Sequence, residues 1–452
     1  MMNDFLNLRY IKTIGVEDNN DHYVVSVHGI VIPTICPYCG SEKLHKHGAV
    51  TQAYMDTPMH GKRVILTIER KRYRCTNSAC NKTIFEPLND MDPKRLATSR
   101  LIKYIQNICF KKTFADISRE IGVDEKTIRH IFDDYAEHLR TTIKFETPRV
   151  LGIDEVKIIG SYKAMITNIE ELSVYDLLES RKKSDLIDYF AKVPNLDQVK
   201  IVTMDMWRPY FDAIRHHLPN VPIVVDRFHV VRAANNAMEA IRKSIRKDLE
   251  PSKRIRLKDE RFVLLSLKKN LNPEQLKMLE KWTTEYPVLH EAYLAKEGFL
   301  AIYEQTNKAL AQKLYADWEK SLSPEIRRYF SDIISFMRNW WVEIFNYYDY
   351  RITNGYTESA NNLVKEMNRM GRGYSFDVIK ARILYDPIAR KPTTKSIRGK
   401  GGKLNKPEPP PENSFAFINS VQSEKTDADV KVIEYGPHIP TLVKLLREGY
   451  FS

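Results

Sequence analysis

Apolar residues recur along this chain in three rhythms, and each rhythm marks a different stretch. Near the N-terminus, HYVVSVHGIVIPTI (22–35) reads as short strands. Residues 98–140 change to the three-and-four spacing of amphipathic helices, broken at Gly122-Val123. From Arg149 strands and helices alternate: RVLGIDEVKII, YKAMITNIE and LSVYDLLES as strands, and KKSDLIDYFAKV as a helix. VKIVTMD follows as a strand, RPYFDAIRHHL as a helix and VPIVVD as a strand. Residues 229–350 are then almost wholly helical, rich in Lys, Glu, Leu and aromatics. The segment ITNGYT (352–357) breaks that run before one more helix, 358–370. No internal repeat is present.

At 452 residues the chain exceeds a single core and divides into several units. The pattern predicts a multidomain α/β protein. The expected units are a β-rich N-terminal domain at 1–92, a helical domain at 93–147 and an α/β domain at 148–385, opened by Pro148. Residues 386–452 form a basic, Pro-rich linker and a tail whose last stretch, VKVIEYGPHIPTLVKLLREGYF, suits a short docking element. Composition narrows the function. With 71 Lys and Arg against 58 Asp and Glu the formal charge is +13, which favours a polyanion, most often nucleic acid. Hydrophobic residues make up 43%, enough for packed cores. No apolar run approaches the roughly 20 residues of a membrane span, and the N-terminus lacks the pattern of a secretory signal. Five cysteines are too few for a disulfide framework, so a reducing, cytoplasmic and nucleoid-associated setting is expected.

Four of those cysteines form two close pairs, Cys36-Pro-Tyr-Cys39 and Cys75 with Cys80, flanking a basic β-rich stretch. Thiolates on two tight knuckles give Zn²⁺ its tetrahedral shell without a large core, and four protein ligands make that ion structural. His45 and His47 are nearby alternative ligands, and Cys109 reads as core. Downstream, TFADISREIGVDEKTIRHIFDDY (113–135) has the form of a helix-turn-helix. Gly122 occupies the turn, Ala115 the expected close approach, and Asp124 the cap of the second helix. That helix would present Lys126, Thr127, Arg129 and His130 to double-stranded DNA. The bland alternative is any pair of packed helices.

The strand order places Asp154 inside an apolar strand and Asp205 at the end of the fourth strand. Three strands, helix, strand, helix, strand is the ribonuclease-H-like order, in which the first and fourth strands are neighbours, so these two carboxylates should converge. An Asp buried unpaired is costly, which argues for a function at Asp154; Asp205 could instead cap the next helix. A third carboxylate is expected from a helix packed on the sheet. Glu358 fits, with Thr357 as cap and Gly355 as the bend of the loop, although a first-turn acid is also favoured by the helix dipole alone. Asn361, Asn362, Lys365 and Arg369 share its face. Three hard oxygen ligands suit two Mg²⁺ or Mn²⁺ ions that clamp the attacking and leaving oxygens of a phosphoryl displacement.

At these residues the sequence resembles the ISL-type insertion-sequence transposases, through CPYC, GIDE, MDMWRPY, VVDRFHVV and TNGYTESANN, over roughly residues 30–385. The resemblance implies a zinc finger, a helix-turn-helix and a DDE domain whose triad is Asp154, Asp205 and Glu358. It also implies that 229–350 is an all-helical insertion in that domain. DRFHV looks like the D-x-x-H signature of related cut-and-paste enzymes, which implies supporting roles for Asp226 and His229, while Trp207 either stacks on a base or packs in the core. The expected function is binding of terminal inverted repeats, followed by strand cleavage and strand transfer into target DNA by at least a homodimer. A DNA-binding regulator without catalysis, or a nuclease for RNA–DNA hybrids, are the rival readings.

Overall fold

The computed structural model describes residues 6–386; the linker and tail expected beyond Asp386 lie outside the described residues. The chain forms two compact units, one built from 6–144 together with 370–386 and the other from 145–369.

The first unit begins with a five-stranded sheet. Strands β1 (Ile11–Asp18), β2 (His22–Gly29), β4 (Lys62–Cys75) and β3 (Leu44–Met59) are paired in that spatial order, and β5 (Thr83–Phe85) pairs with β4. The β3–β4 hairpin turns at His60-Gly61, both with positive φ. Val25, Val27, Val64, Leu66 and Ile68 alternate inward and form the core of this sheet. The helical module joins the same unit. Asp56 on β3 is fully buried and accepts hydrogen bonds from Thr98 Oγ1 (2.6 Å) and Arg100 Nε (2.8 Å), so its charge is paired inside rather than left bare.

Helices α1 (Ser99–Ile108), α2 (Phe114–Ile121) and α3 (Glu125–Thr142) follow. Gly122 takes φ +81, which a glycine reaches without the Cβ penalty, and Asp124 accepts from Thr127 N at 3.1 Å to cap α3. Ala115 is exposed and is not where the helices approach. That contact is made by Phe114, whose ring lies 5.3 Å from Phe132, because the buried stripe of α2 runs Phe114, Ile117, Ile121. The last described helix, Phe376–Tyr385, belongs to this unit although its sequence lies at the end of the stretch assigned to catalysis. Arg382, 3% exposed, donates through Nε to the carbonyl of Cys109 at 2.9 Å, and the Tyr374 hydroxyl accepts from Phe114 N at 3.2 Å.

The second unit holds β6 (Val150–Ile158), β7 (Ser161–Asn168), β8 (Ser173–Leu178), β9 (Ile201–Met204) and β10 (Ile223–Val225), in the spatial order β10-β9-β6-β7-β8. β6, β7 and β8 are antiparallel neighbours, as short connections require, while β9 and β10 run parallel to β6. Helices α4 (Lys183–Phe190) and α5 (Arg208–His217) provide the crossovers. From α6 (Arg227–Lys247) to Tyr350 every element is helical. One apolar core runs continuously from the sheet, through Leu151, Val202 and Val224, into these helices at Trp282, Phe299 and Phe330.

Candidate active site and metal centres

The strand register brings the acids together. Ile153 on β6 pairs with Met204 on β9, and Met204 pairs with Val225 on β10. The next residue on each is an aspartate: Asp154, Asp205 and Asp226 therefore stand at one level across three adjacent parallel strands. Asp154 lies within its longer strand; Asp205 and Asp226 fall just past the ends of theirs. Asp205 does not cap α5, whose N-cap is Trp207. Asp226 is the N-cap of α6 and accepts from Phe228 N at 3.4 Å.

His229, three residues into that helix, turns back towards the acids. Its Nδ1 lies 3.0 Å from Asp205 Oδ1 and 3.7 Å from Asp226 Oδ2, an ion-pair spacing in which neither Nδ1 nor Asp205 Oδ1 has a well-aligned hydrogen bond. Burial alone would lower the imidazole pKa, but Asp205 and Asp226 outweigh it and raise it to about 11. Asp154 is 8% exposed; burial first, then the charge of Asp205, pushes its carboxyl well above the usual range. This is the electrostatics of acids gathered without enough cations between them.

Glu358 reaches this group from a separate helix, Gly355–Gly371, and the sequence around it specifies how. Gly355 opens the helix without a positive φ, so it is the first helical residue rather than the bend of a loop, and Glu358 N donates to the carbonyl of Asn354 at 3.2 Å. Thr357 is not the cap but a fully buried strut. Its hydroxyl donates to Asn354 Oδ1 (2.6 Å) and meets Thr167 Oγ1 on β7 at 2.7 Å. Asn354 in turn donates to the carbonyl of Ile153 on β6 at 3.2 Å, and its backbone N–H points to Asp226 Oδ1 at 3.4 Å. Gly152 leaves room for this joint: a Cβ there would lie 2.4 Å from Thr167 Oγ1 and 2.5 Å from Thr357 Oγ1. Burial, and after it the charge of Asp226, raise the Glu358 carboxyl, so it faces the same negative field. Of its neighbours, Asn361 is buried, whereas Asn362, Lys365 and Arg369 are exposed. Asn354, Thr167 and Gly152 escaped the sequence reading, and Asn361 entered it only as a residue on the face of the Glu358 helix. TNGYTESANN and GIDE bracket three of them, but nothing local in either motif gives Asn354 or Gly152 a partner.

Beside Asp154 and Asp205 opens a cavity of about 370 Å³, walled by Trp207, Tyr210, His229 and Phe336. Trp207 is 41% exposed and carries the Arg181 guanidinium 5.0 Å from its ring, so it is a surface aromatic at the mouth rather than core. Among the described residues, Asp205, Asp226 and His229 bring potential ligand atoms within 4.8 Å of one another. The donor set suits a divalent cation, because oxygen ligands predominate and their mutual repulsion is what such an ion relieves.

In the other unit the two cysteine knuckles converge. The sulfurs of Cys36, Cys39, Cys75 and Cys80 all lie within 4.8 Å, with Cys36 to Cys80 at 3.8 Å and Cys39 to Cys75 at 3.7 Å. Burial opposes ionisation of Cys36, yet the backbone N–H groups of Tyr38 and Cys39 and the neighbouring thiols bring its pKa down to about 7, while at Cys75 the Asn77 N–H is outweighed by burial and the neighbouring thiols, which push it up to about 11. Four sulfurs at this spacing fit a tetrahedral zinc, and His45 and His47 are not in the group. On α3, Lys126 and His130 are exposed. Thr127 is half-buried at the cap, and Arg129 is half-buried with its guanidinium 5.6 Å from the Phe114 ring. No described helix is long and apolar enough to cross a membrane.

Comparison with known proteins matches three family models along the chain. Residues 32–80 match the zinc-finger of transposases IS204/IS1001/IS1096/IS1165, and residues 86–136 match the helix-turn-helix domain of transposase family ISL3. Residues 151–383 match the DDE transposase domain of the same family. The transposase for insertion sequence element IS1001 of Bordetella parapertussis is 21% identical over 371 residues, covering 79% of this chain and 90% of that protein. The cysteine centre is a structural zinc ribbon, and the DDE domain implies catalytic Mg²⁺ or Mn²⁺. The chain belongs to the ISL3 family of DNA transposases, metal-dependent enzymes that cut and transfer DNA strands.

Proposed function

We propose that this transposase binds the terminal inverted repeats of an insertion sequence and cleaves and transfers DNA strands with two metal ions held by Asp154, Asp205 and Glu358. The observation that carries the reading is the register Ile153–Met204–Val225, which sets three aspartates side by side while the Glu358 helix is pinned to the same strand. The domain around them, from about residue 148, is read as ribonuclease-H-like, with 229–350 as a helical insertion between the last strand and the Glu358 helix. When bound, the divalent ions polarise the scissile phosphate and activate water or a 3′-hydroxyl. The residues of this chain do the rest. Asp154 supplies a buried carboxylate and Glu358 a half-buried one, and partial exclusion of water strengthens their pull on cations. His229 lies between Asp205 and Asp226 and pairs its charge with both. Trp207 and Arg181 at the cavity mouth offer a ring and a guanidinium to the DNA strand.

Recognition of the repeats falls to the zinc ribbon and the helix-turn-helix. Lys126 and His130 are exposed on α3 to meet the major groove, Thr127 stands near the helix N-terminus where phosphates bind, and Arg129 is steered by Phe114. Both ends of the element must be processed together, so the active form on DNA is a dimer or larger, working in the cytoplasm on the nucleoid. The test is metal-dependent nicking and strand transfer on a labelled terminal repeat, comparing the parent with Asp205→Asn. Removal of one preorganised electrostatic group is expected to cost on the order of 10²–10³-fold in rate. Full activity in the variant would remove Asp205 from the ligand set, and a parent protein that binds the repeat in Mg²⁺ without cutting it would favour the regulator.

A further inference from the structure

The Glu358 helix brings a second side chain to the carboxylates. Asn361, one turn beyond Glu358 and 3% exposed, donates from Nδ2 to Asp154 Oδ2 at 2.7 Å and to the carbonyl of Glu155 at 3.2 Å. The orientation of the amide follows from its neighbours, because a carbonyl can only accept and so the NH₂ end must face it. Asp154 Oδ1 accepts the backbone N–H of Glu155 at 2.6 Å. The carboxylate is thus gripped at both oxygens, once by its own strand and once by the helix that carries Glu358.

The other end of the same amide is different. Asn361 Oδ1 is buried and has no hydrogen-bond partner among the described residues. An unmet buried acceptor is costly, and a side chain serving only as packing would not incur that cost. A leucine fills a similar volume without that cost. The amide is therefore suited to a site in which a donor arrives later, and the water shell of a divalent cation is a source of donors beside a carboxylate ligand.

We infer that Asn361 is a positioning residue for the metal centre: its Nδ2 fixes the rotation of the Asp154 carboxylate, and its Oδ1 accepts from water on the bound cation. The inference rests on the reading of Asp154 as a metal ligand. It makes the turn Glu358 to Asn361 a single device, since one helix delivers a carboxylate and aligns another, and a shift of that helix moves both at once. Partners of this kind, one step removed from the ion, set ligand orientation and commonly govern metal affinity.

The test uses the full-length, zinc-loaded protein without DNA, and reads Mn²⁺ binding by the loss of the free-ion paramagnetic resonance signal. Four proteins are compared: the parent, Asp154→Asn, Asn361→Leu and the double variant. Asn361→Leu keeps the volume and removes both polar ends. It is expected to melt near the parent, to retain its zinc, and to bind Mn²⁺ ~10–100-fold more weakly. In the Asp154→Asn background the same change should add little, because the group it aligns is already altered. Parent-like Mn²⁺ affinity in a folded Asn361→Leu would overturn the inference, as would an equal further loss in the double variant. Should Asn361→Leu not fold, Asn361→Ala is read by the same two criteria. If Asp154→Asn itself binds Mn²⁺ like the parent, the metal-ligand reading fails and takes this inference with it. If that variant loses binding and Asn361→Leu does not, only the inference fails.

Discussion

The two ligand clusters of this transposase are assembled over very different distances along the chain. The four sulfurs come from two knuckles, at residues 36–39 and 75–80, one before strand β3 and one at the end of its hairpin partner β4. Leu44 pairs with Cys75, so closing one hairpin delivers both knuckles to each other. The acids come from three strands and a helix more than two hundred residues from the first of them, and a joint of Asn354, Thr357, Thr167 and Gly152 has to hold them there. The chemistry differs in the same sense. A closed thiolate shell satisfies zinc completely and leaves nothing for substrate, whereas the acids remain mutually repelling and partly open to a cavity. A local centre supports the fold; a dispersed one has to be supported by it.

The comparison is tested most severely by taking the zinc away. Structural zinc in small four-ligand sites is worth ~10–16 kcal/mol of apparent binding free energy, so Cys39→Ser or strong chelation should release the ion and loosen the knuckle end of the β3–β4 hairpin. Hydrogen exchange at residues 44–50 and 69–75 should accelerate sharply, and terminal-repeat binding should weaken. Mn²⁺ binding at the acids, in the other compact unit, should stay as in the parent. If Mn²⁺ affinity falls together with the zinc, the two centres are not independent and the contrast drawn between them is wrong.

The opposite stress falls on the joint. Gly152→Ala adds one methyl where both threonine hydroxyls stand within 2.5 Å of its position and the Ile169 side chain within 2.7 Å. Both threonines are fully buried, so the strain is not released by swinging a loose side chain, and overpacking of this kind costs ~1–3 kcal/mol. The expected result is a lower melting temperature for the catalytic unit, with strand transfer falling by more than stability alone explains, since the displaced Thr357 carries the helix of Glu358. Zinc content and repeat binding should not change. A variant that melts lower but cleaves at the parent rate would show that the joint holds the fold and not the acid.

These two experiments also separate what the sequence could and could not reveal. The cysteine pairs were legible because both knuckles are local motifs, and Asp154 because a carboxylate inside an apolar strand needs a reason. Asp205 and Asp226 were legible as the residues that end apolar strands. The joint was not. Thr167 and Thr357 meet across 190 positions, and in a linear reading Thr357 is a respectable helix cap and Gly355 a respectable bend. Both assignments gave way to tertiary contacts that no local rule contains. Ala115 failed for a related reason: small size suggested a close helix approach, but the buried stripe of α2 passes one residue earlier, at Phe114. The return of Phe376–Tyr385 to the first unit rests on Arg382 reaching the Cys109 carbonyl 273 positions away, and an arginine in an apolar helix looks from sequence like a solvent-facing charge.

The smallest expected effect concerns that same Cys109, which sharpens the comparison by being a cysteine that belongs to neither centre. It is fully buried, its thiol donates to the carbonyl of Gln106 at 3.1 Å, and burial pushes its pKa up to about 12. A thiol so protonated is neither ligand nor nucleophile. In the native, zinc-loaded protein an alkylating reagent should therefore leave Cys109 untouched, whereas chelation should expose the other four of the five cysteines. The pH dependence has a definite sign. The folded pKa lies above the ordinary value of 9, so between the two values the folded state binds the extra proton. Stability from this group is complete below about pH 9 and is lost as the pH climbs towards 12. Cys109→Ala should cost about 1 kcal/mol at neutral pH, a typical value for a small buried truncation, and its deficit against the parent should shrink as the pH is raised through that window. The check is the urea midpoint of both proteins at neutral and at alkaline pH. A deficit that stays constant would mean the thiol is better solvated than its burial implies, and alkylation of Cys109 while zinc is retained would mean the helix carrying Arg382 does not keep it covered.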